Sequence, residues 1–241
     1  LTPESIRASC EASLRRLKAE RLDLYQIHWP DYKADYRGIA QTLADLRREG
    51  KIRAIGVSNF GPEDMAQYAE YGEFVSNQLA YSLLFRSIEA EIQPECVKRQ
   101  AGILCYSPLC QGLLTGKFAT PEDVPAGRAR TRHFSPKRPQ VRHQEPGLES
   151  ETFAALAELR AWCAKRREPL ARVALAWLLH QPAVTAVIAG ARSPEQVADN
   201  AAAADLDLDA ADLAALAERT ATLTRKLGTN ADMWQSQSRL H

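Results

Sequence analysis

Short strands alternate with helices along almost the whole chain, and this alternation restricts the fold more than any other feature of the sequence. The chain opens on a helix. Thr2 suits its N-cap, Pro3 suits the first turn because a missing N–H costs nothing there, and Ile6, Cys10, Leu14 and Leu17 follow at helical spacing. Residues Leu22 to His28 alternate as a strand. A helix over 37–49 stops at Gly50, a good C-cap. The strand Ile52–Val57, a helix over 62–71, a strand over 74–79, a helix over 89–100 and the strand Ile103–Tyr106 come next. Beyond a long loop lie helices over 151–166 and 169–180 and the strand Thr185–Ala189. The following helix opens at Ser193-Pro194-Glu195-Gln196, where Ser193 and Gln196 have capping-box spacing. A last helix covers 209–225, and 226–241 form a polar tail.

Such alternation implies a parallel sheet with helices packed outside it. Five strands suffice for a doubly wound sheet, whereas a (β/α)8 barrel needs eight. No glycine-rich strand–turn–helix fingerprint supports a doubly wound dinucleotide fold. In a barrel, functional residues follow the C-terminal ends of the strands, so those ends are where chemistry is to be sought.

Bulk properties exclude several classes. A net charge of +1 creates no field for nucleic acid or an anionic membrane. No apolar run approaches the roughly 18 residues of a membrane span, and no signal peptide is visible in a chain that starts with Leu1 rather than Met. Cys10, Cys96, Cys105, Cys110 and Cys163 are odd in number and contain no CxxC pair. That argues against a disulfide framework or a zinc site and for a reducing, cytoplasmic setting. The stretch 126–147 carries Arg128, Arg130, Arg132, Lys137, Arg138 and Arg142 with His133 and His143. Its three prolines and lack of regular aromatic spacing favour a solvated variable loop over a nucleic-acid contact, and its histidines lack metal-ligand spacing.

The strand ends read His28-Trp29-Pro30-Asp31, Ser58-Asn59-Phe60, Asn77-Gln78, Tyr106-Ser107-Pro108-Leu109 and Gly190-Ala191-Arg192-Ser193. A pure scaffold has no need of such polar and aromatic residues at every end. Together they can bond an amide, stack on a flat ring and hold phosphate. The helix N-terminus at Ser193 offers N–H groups to an anion. Arg192 has the planar fork that grips phosphate, and Gln196 and Asn200, four apart, share a helix face.

Here a resemblance becomes specific. Gln26-Ile27-His28-Trp29-Pro30 and the run Gly50 to Phe60 resemble signature segments of the aldo-keto reductase family, as do Tyr106 to Lys117 and Gly190 to Asn200. Order and spacing agree over 1–225. The resemblance implies a (β/α)8 TIM barrel of which this chain carries the last five strand–helix units, strands 4–8, with 1–225 as barrel and 226–241 as tail. It implies NADPH-dependent reduction of a small aldehyde or ketone, with no metal, nucleic-acid or membrane partner, and leaves the oligomeric state open. His28 matches the family's catalytic histidine, and Trp29 would line the substrate pocket. Ser58, Asn59 and Gln78 would bond the nicotinamide carboxamide and Tyr106 would stack on the ring. Ser107, Leu109, Gln111 and Lys117 would wrap the pyrophosphate. Gly190, Arg192, Ser193, Gln196 and Asn200 would hold the adenosine end, Arg192 on the 2′-phosphate. Many relatives have Ile-Pro-Lys-Ser where this chain has Ile188 to Ser193, and the Gly-Ala-Arg form resembles a bacterial-type branch.

The family's Tyr, Asp and Lys precede the point that matches Leu1, so the expectation is a chain lacking its N-terminal segment and inactive or weak as it stands. Read as complete, it would leave its first and last strands as unpaired edges. The alternative function is a cofactor-binding regulatory or scaffold protein, because potassium-channel β-subunit relatives of this fold serve in assemblies.

Overall fold

The computed structural model describes residues 1–241. Five strands, β1 (Leu22–Ile27), β2 (Ile52–Ser58), β3 (Ser76–Ala80), β4 (Gly102–Tyr106) and β5 (Val184–Val187), are hydrogen-bonded side by side in chain order. The β1–β2 and β2–β3 pairs are parallel, with Ser58 opposite Gln78. The helices are α1 (Pro3–Leu17), α2 (Tyr36–Arg48), α3 (Pro62–Ala69), α4 (Ile92–Lys98), α5 (Glu149–Arg166), α6 (Leu170–Leu179), α7 (Pro194–Ala201) and α8 (Ala210–Leu227). Two compact units result, one of 1–79, 91–103 and 240–241, the other of 80–90 and 104–239.

In the first unit the helices obey their sequence signals. The Thr2 hydroxyl accepts the Ser5 N–H at 3.2 Å, as an N-cap should. Helix α2 buries Tyr36, Ile39, Ala40, Leu43 and Leu46, one face at helical spacing. That face and Ile52, Ile55 and Val57 of β2 are almost wholly removed from water, worth roughly 1.5–3 kcal/mol for each large side chain. Gly50, at φ 75°, ends the helix in the left-handed conformation. The helix expected over 89–100 is shorter. A 3-10 turn (Ser87–Glu89) precedes α4, because Pro94 has no N–H for the Ala90 carbonyl and can sit only in a first turn.

In the second unit α6 is buried from Val173 through Leu178, so it packs on all sides. The stretch 126–147 is not a solvated loop, which corrects the sequence expectation. Thr131, Arg132, His133, Phe134 and His143 are all buried. Arg132 bonds both Glu145 oxygens at 2.9 Å, the Asn230 carbonyl at 2.8 Å and the Leu227 carbonyl at 2.6 Å, the last capping the end of α8. Arg138 pairs with Glu149, and Arg130 lies over the Trp234 ring. These cations are spent on carbonyls, carboxylates and a ring. The segment after Gly228 is irregular yet packed: Ala231, Asp232 and Met233 are buried, and Asp232 pairs with Arg239.

His133 is fixed by its neighbours. Its Nε2 lies 2.8 Å from the Leu84 carbonyl and its Nδ1 2.9 Å from the Thr131 hydroxyl. A carbonyl needs a donor, so Nε2 carries the proton and Nδ1 accepts from Thr131. Burial holds the imidazole down to about 4. The unfolded chain, with an ordinary histidine, therefore binds the extra proton first as pH falls. His133 contributes stability above pH ~6.5 that is lost as pH drops towards 4, about 3 kcal/mol in all. Urea unfolding at pH 7 and pH 4 should show this loss shrinking by about that amount in His133→Gln. An unchanged difference would refute the assignment.

Candidate active site

The ends of β1, β2 and β3 are laced together. His28 follows β1 with its imidazole exposed and its carbonyl accepting Asn59 Nδ2 at 3.0 Å. Asn59 turns the chain at φ 61°, a left-handed conformation that asparagine tolerates better than most residues. Its N–H donates to the Gln78 carbonyl at 3.0 Å, and the Ser58 hydroxyl donates to the same carbonyl at 2.9 Å. Asn59 Nδ2 also reaches Ser58 Oγ at 3.1 Å. Ser58 and Asn59 are thus buried and engaged within the chain, while the partly exposed Gln78 amide side chain makes no internal hydrogen bond. Trp29 is partly exposed beside His28. Tyr25 does not substitute for a proton donor, since its hydroxyl donates to the Ile6 carbonyl at 3.2 Å.

Asn77 has a role the sequence reading did not assign. Fully buried, it donates to the Phe60 carbonyl at 2.8 Å and accepts the Phe60 N–H at 3.4 Å. In sequence it is one of three consecutive polar residues, Ser76-Asn77-Gln78, and nothing there sets it apart from its neighbours. Neither Ser58 nor Asn59 caps α3, whose N-cap is Gly61.

The second unit carries the other predicted residues. Tyr106 ends β4 with its hydroxyl bonded by the Trp234 indole, and burial pushes it up to about 12. The loop that follows has left-handed φ at Ser107, Cys110, Gln111, Gly112 and Gly116. Gln111 Nε2 donates to Ser107 Oγ at 3.0 Å, and the Leu109 carbonyl accepts the Gly112 N–H at 2.9 Å. Gly112, at φ 93°, holds a backbone conformation that favours glycine, and its Cα side faces the cations: a Cβ there would lie 2.9 Å from Arg128 Nη1 and 3.7 Å from Lys117 Nζ. The Lys117 amine is held below its ordinary range by partial burial, then by the positive charges of Arg128 and Arg192. None of the three cations has an acidic partner. Arg128 was hidden in sequence among the basic residues of 126–147, and only folding separates it from its paired neighbours.

After β5 the exposed Gly190 accepts Asn200 Nδ2 on its carbonyl at 3.3 Å. Ser193 caps α7 by accepting the Gln196 N–H at 3.4 Å. Gln196 does not complete the expected capping box. Its Oε1 takes the Arg192 N–H at 2.9 Å, one residue earlier. Gln196 and Asn200 therefore brace the turn that carries Arg192, leaving its guanidinium in solvent. No cluster of three or more His, Cys, Asp or Glu could hold a metal ion, and all five cysteines are buried free thiols. No helix is long and apolar enough to cross a membrane.

The family model of the aldo/keto reductases matches residues 1–220. The chain belongs to that family. It is 35% identical over 228 residues to the NADH-specific methylglyoxal reductase of Escherichia coli, covering 93% of this chain and 67% of that protein. It is 34% identical to the aldo-keto reductase YhdN of Bacillus subtilis, over 78% of this chain and 54% of that one. Among solved structures, the glycerol dehydrogenase of Gluconobacter oxydans superposes with a TM-score of 0.78 at 35% identity, over 92% of this chain and 65% of its own. A thermostable aldo-keto reductase bound to the inhibitor epalrestat, at 22% identity and TM-score 0.70, shares the fold. The chain spans between 54% and 67% of the length of these curated relatives. The fold is thus a TIM-barrel-like α/β fold, here with five strands, in a family of oxidoreductases that use nicotinamide cofactors.

Removing the Asn77 amide would leave the buried Phe60 N–H and C=O unpaired. Asn77→Ala is expected to cost about 1–3 kcal/mol in urea unfolding. A loss under about 0.5 kcal/mol would show that Asn77 does not hold the turn.

Proposed function

We propose that the protein reduces small aldehydes or ketones to alcohols with NADPH, and that β1–β5 correspond to strands four to eight of the family barrel. The observation that carries the cofactor reading is the group of cations Lys117, Arg128 and Arg192: the charges of the two arginines act on the Lys117 amine, and none of the three has an acidic partner. Like charges gathered without neutralisation fit an anion as their missing partner. Beside the left-handed turn at Gly112, these donors match a phosphorylated molecule. In the other unit, the side-chain amide of Gln78 is unengaged.

The cofactor supplies a hydride equivalent when bound. The chain supplies position. Gln78 would bond the carboxamide directly, while Ser58 and Asn59 hold the strand ends in register. Tyr106 would lie against the ring, its hydroxyl tethered by Trp234. Ser107, Leu109, Gln111, Lys117 and Arg128 would surround the pyrophosphate. Gly190, Arg192, Ser193, Gln196 and Asn200 would form the adenosine end. Trp29 would wall the substrate. His28 would hydrogen-bond the carbonyl oxygen and steady the charge that builds there. The family's Tyr, Asp and Lys have no motif counterpart in these 241 residues, so by themselves they should bind cofactor well and turn over weakly or not at all. Five unpaired thiols fit a reducing compartment, the cytoplasm.

Two observations favour other readings of detail. The Escherichia coli relative is named NADH-specific, which would leave Arg192 without a 2′-phosphate. The strand-end residues would equally suit a cofactor-binding regulatory or scaffold protein. Fluorescence titration of the 241-residue chain separates these cases. NADPH should bind in the micromolar range, and Arg192→Ala should weaken it about 10- to 100-fold while moving NADH by less than about twofold. Equal loss for both cofactors removes the 2′-phosphate role, and absence of binding by either rejects the cofactor reading. Turnover of a broad carbonyl panel by the chain joined to a family N-terminal segment decides enzyme against scaffold.

A further inference from the structure

The N-terminal turn of α3 is short of a cap. The first N–H groups of a helix need partners from outside it, and an N-cap side chain normally takes the N–H three residues on. Here the N-cap is Gly61, which has no side chain to offer. The orphan N–H, that of Asp64, is instead taken by the main-chain carbonyl of His241 at 2.9 Å. The Asp64 carboxylate returns two bonds through Oδ2, one from the Gly61 N–H at 2.9 Å and one from the His241 N–H at 2.8 Å. A capping box is therefore completed by a residue 177 positions away. All these residues lie in the first unit.

Gly61 is glycine for this contact and not for its backbone, which is ordinary at φ −82°. A Cβ there would lie 2.2 Å from the His241 oxygen and 2.7 Å from its nitrogen, a position no side chain could share. Tyr32 closes the seat from the other side. Its ring meets the His241 ring edge-on at 5.0 Å, and its hydroxyl bonds Asp64.

We propose that the seated main chain of His241 positions the Ser58–Asn59 strand end that serves the cofactor. The turn from Ser58 to Gly61 has one non-glycine residue in a left-handed conformation, Asn59, and the turn is held at both ends. Asn77 clamps it at Phe60, and the Asp64–His241 pair clamps it at Gly61. Removing His241 leaves the Asp64 N–H unpaired and opens its carboxylate to water, so the far end of the turn is released. This role rests on the cofactor reading above, while the latch itself does not.

Three variants test it: a chain ending at Arg239, Gly61→Ala, which expels His241, and His241→Ala, which keeps the main chain. Amide hydrogen exchange needs no cofactor. In the first two, protection at Asn59 and Phe60 should fall roughly tenfold or more, with Ile55 in β2 unchanged, and His241→Ala should match the parent. The Kd for NADPH or NADH should rise about tenfold in the first two only. Parent-like protection at Asn59 in the shortened chain overturns the latch, as does a uniform fall across β2, which would mark general destabilisation. Lost protection with an unchanged Kd overturns the positioning role. Should the parent bind neither cofactor, the functional reading fails, and the exchange pattern still decides the latch.

Discussion

The carbonyl of Gln78 is the acceptor on which the strand ends depend. It receives the Asn59 N–H and the Ser58 hydroxyl at once, so the last residue of β2 and the turn beyond it are referred to one atom of β3. Asn59 then passes the constraint to β1 through the His28 carbonyl. Each bond is worth only about 1 kcal/mol net, but Ser58 and Asn59 are buried, and leaving one of their groups unpaired would cost more than its bond contributes. Geometry follows from that asymmetry. The left-handed Asn59 is held because this turn pairs its buried N–H and amide.

Charge is handled by two opposite rules in the second unit. Arg86 and Arg132 are largely withdrawn from water, and each is surrounded by acceptors: Glu89, the Ala217 carbonyl and Thr220 for Arg86, Glu145 and two carbonyls for Arg132. Such cations are structural, since losing any partner would strand a buried charge. Lys117, Arg128 and Arg192 have no acid beside them, and the two guanidinium charges disfavour the charged Lys117 amine. A folded chain gains nothing from that arrangement by itself, and an arriving anion removes the cost. The distinction between the two sets is invisible in composition, where all five are merely basic residues.

The order of helices and strands, several helix ends and the family motifs were legible because they depend on residues close in sequence. Thr2-Pro3 at a helix start, Gly50 at a helix end and the apolar spacing of α2 are local physics. The errors arose where one of several available partners was chosen, often one far along the chain. Gln196 had capping-box spacing to Ser193, but the Arg192 N–H offered a nearer use for its oxygen. The basic stretch 126–147 read as solvated because the carbonyls at Leu227 and Asn230 that absorb Arg132 lie about a hundred residues on. Asn77 looked like one more strand-end polar group beside Gln78, although its side chain clamps Phe60 while the Gln78 amide stays unbonded.

By itself, the sequence determined the alternation of strand and helix, the residues gathered at the strand ends and the family they match. Those follow from short-range periodicity and from runs of adjacent side chains. Only the tertiary structure decided which of these residues hold one another and which are left for a ligand. It buried Ser58 and Asn59 against Gln78, set Arg128 beside Lys117, and brought His241 onto the bare N-cap of α3. The reason is the same in each case. A hydrogen-bond donor has no role until its acceptor is within about 3 Å, and the chain brings such pairs together only by folding.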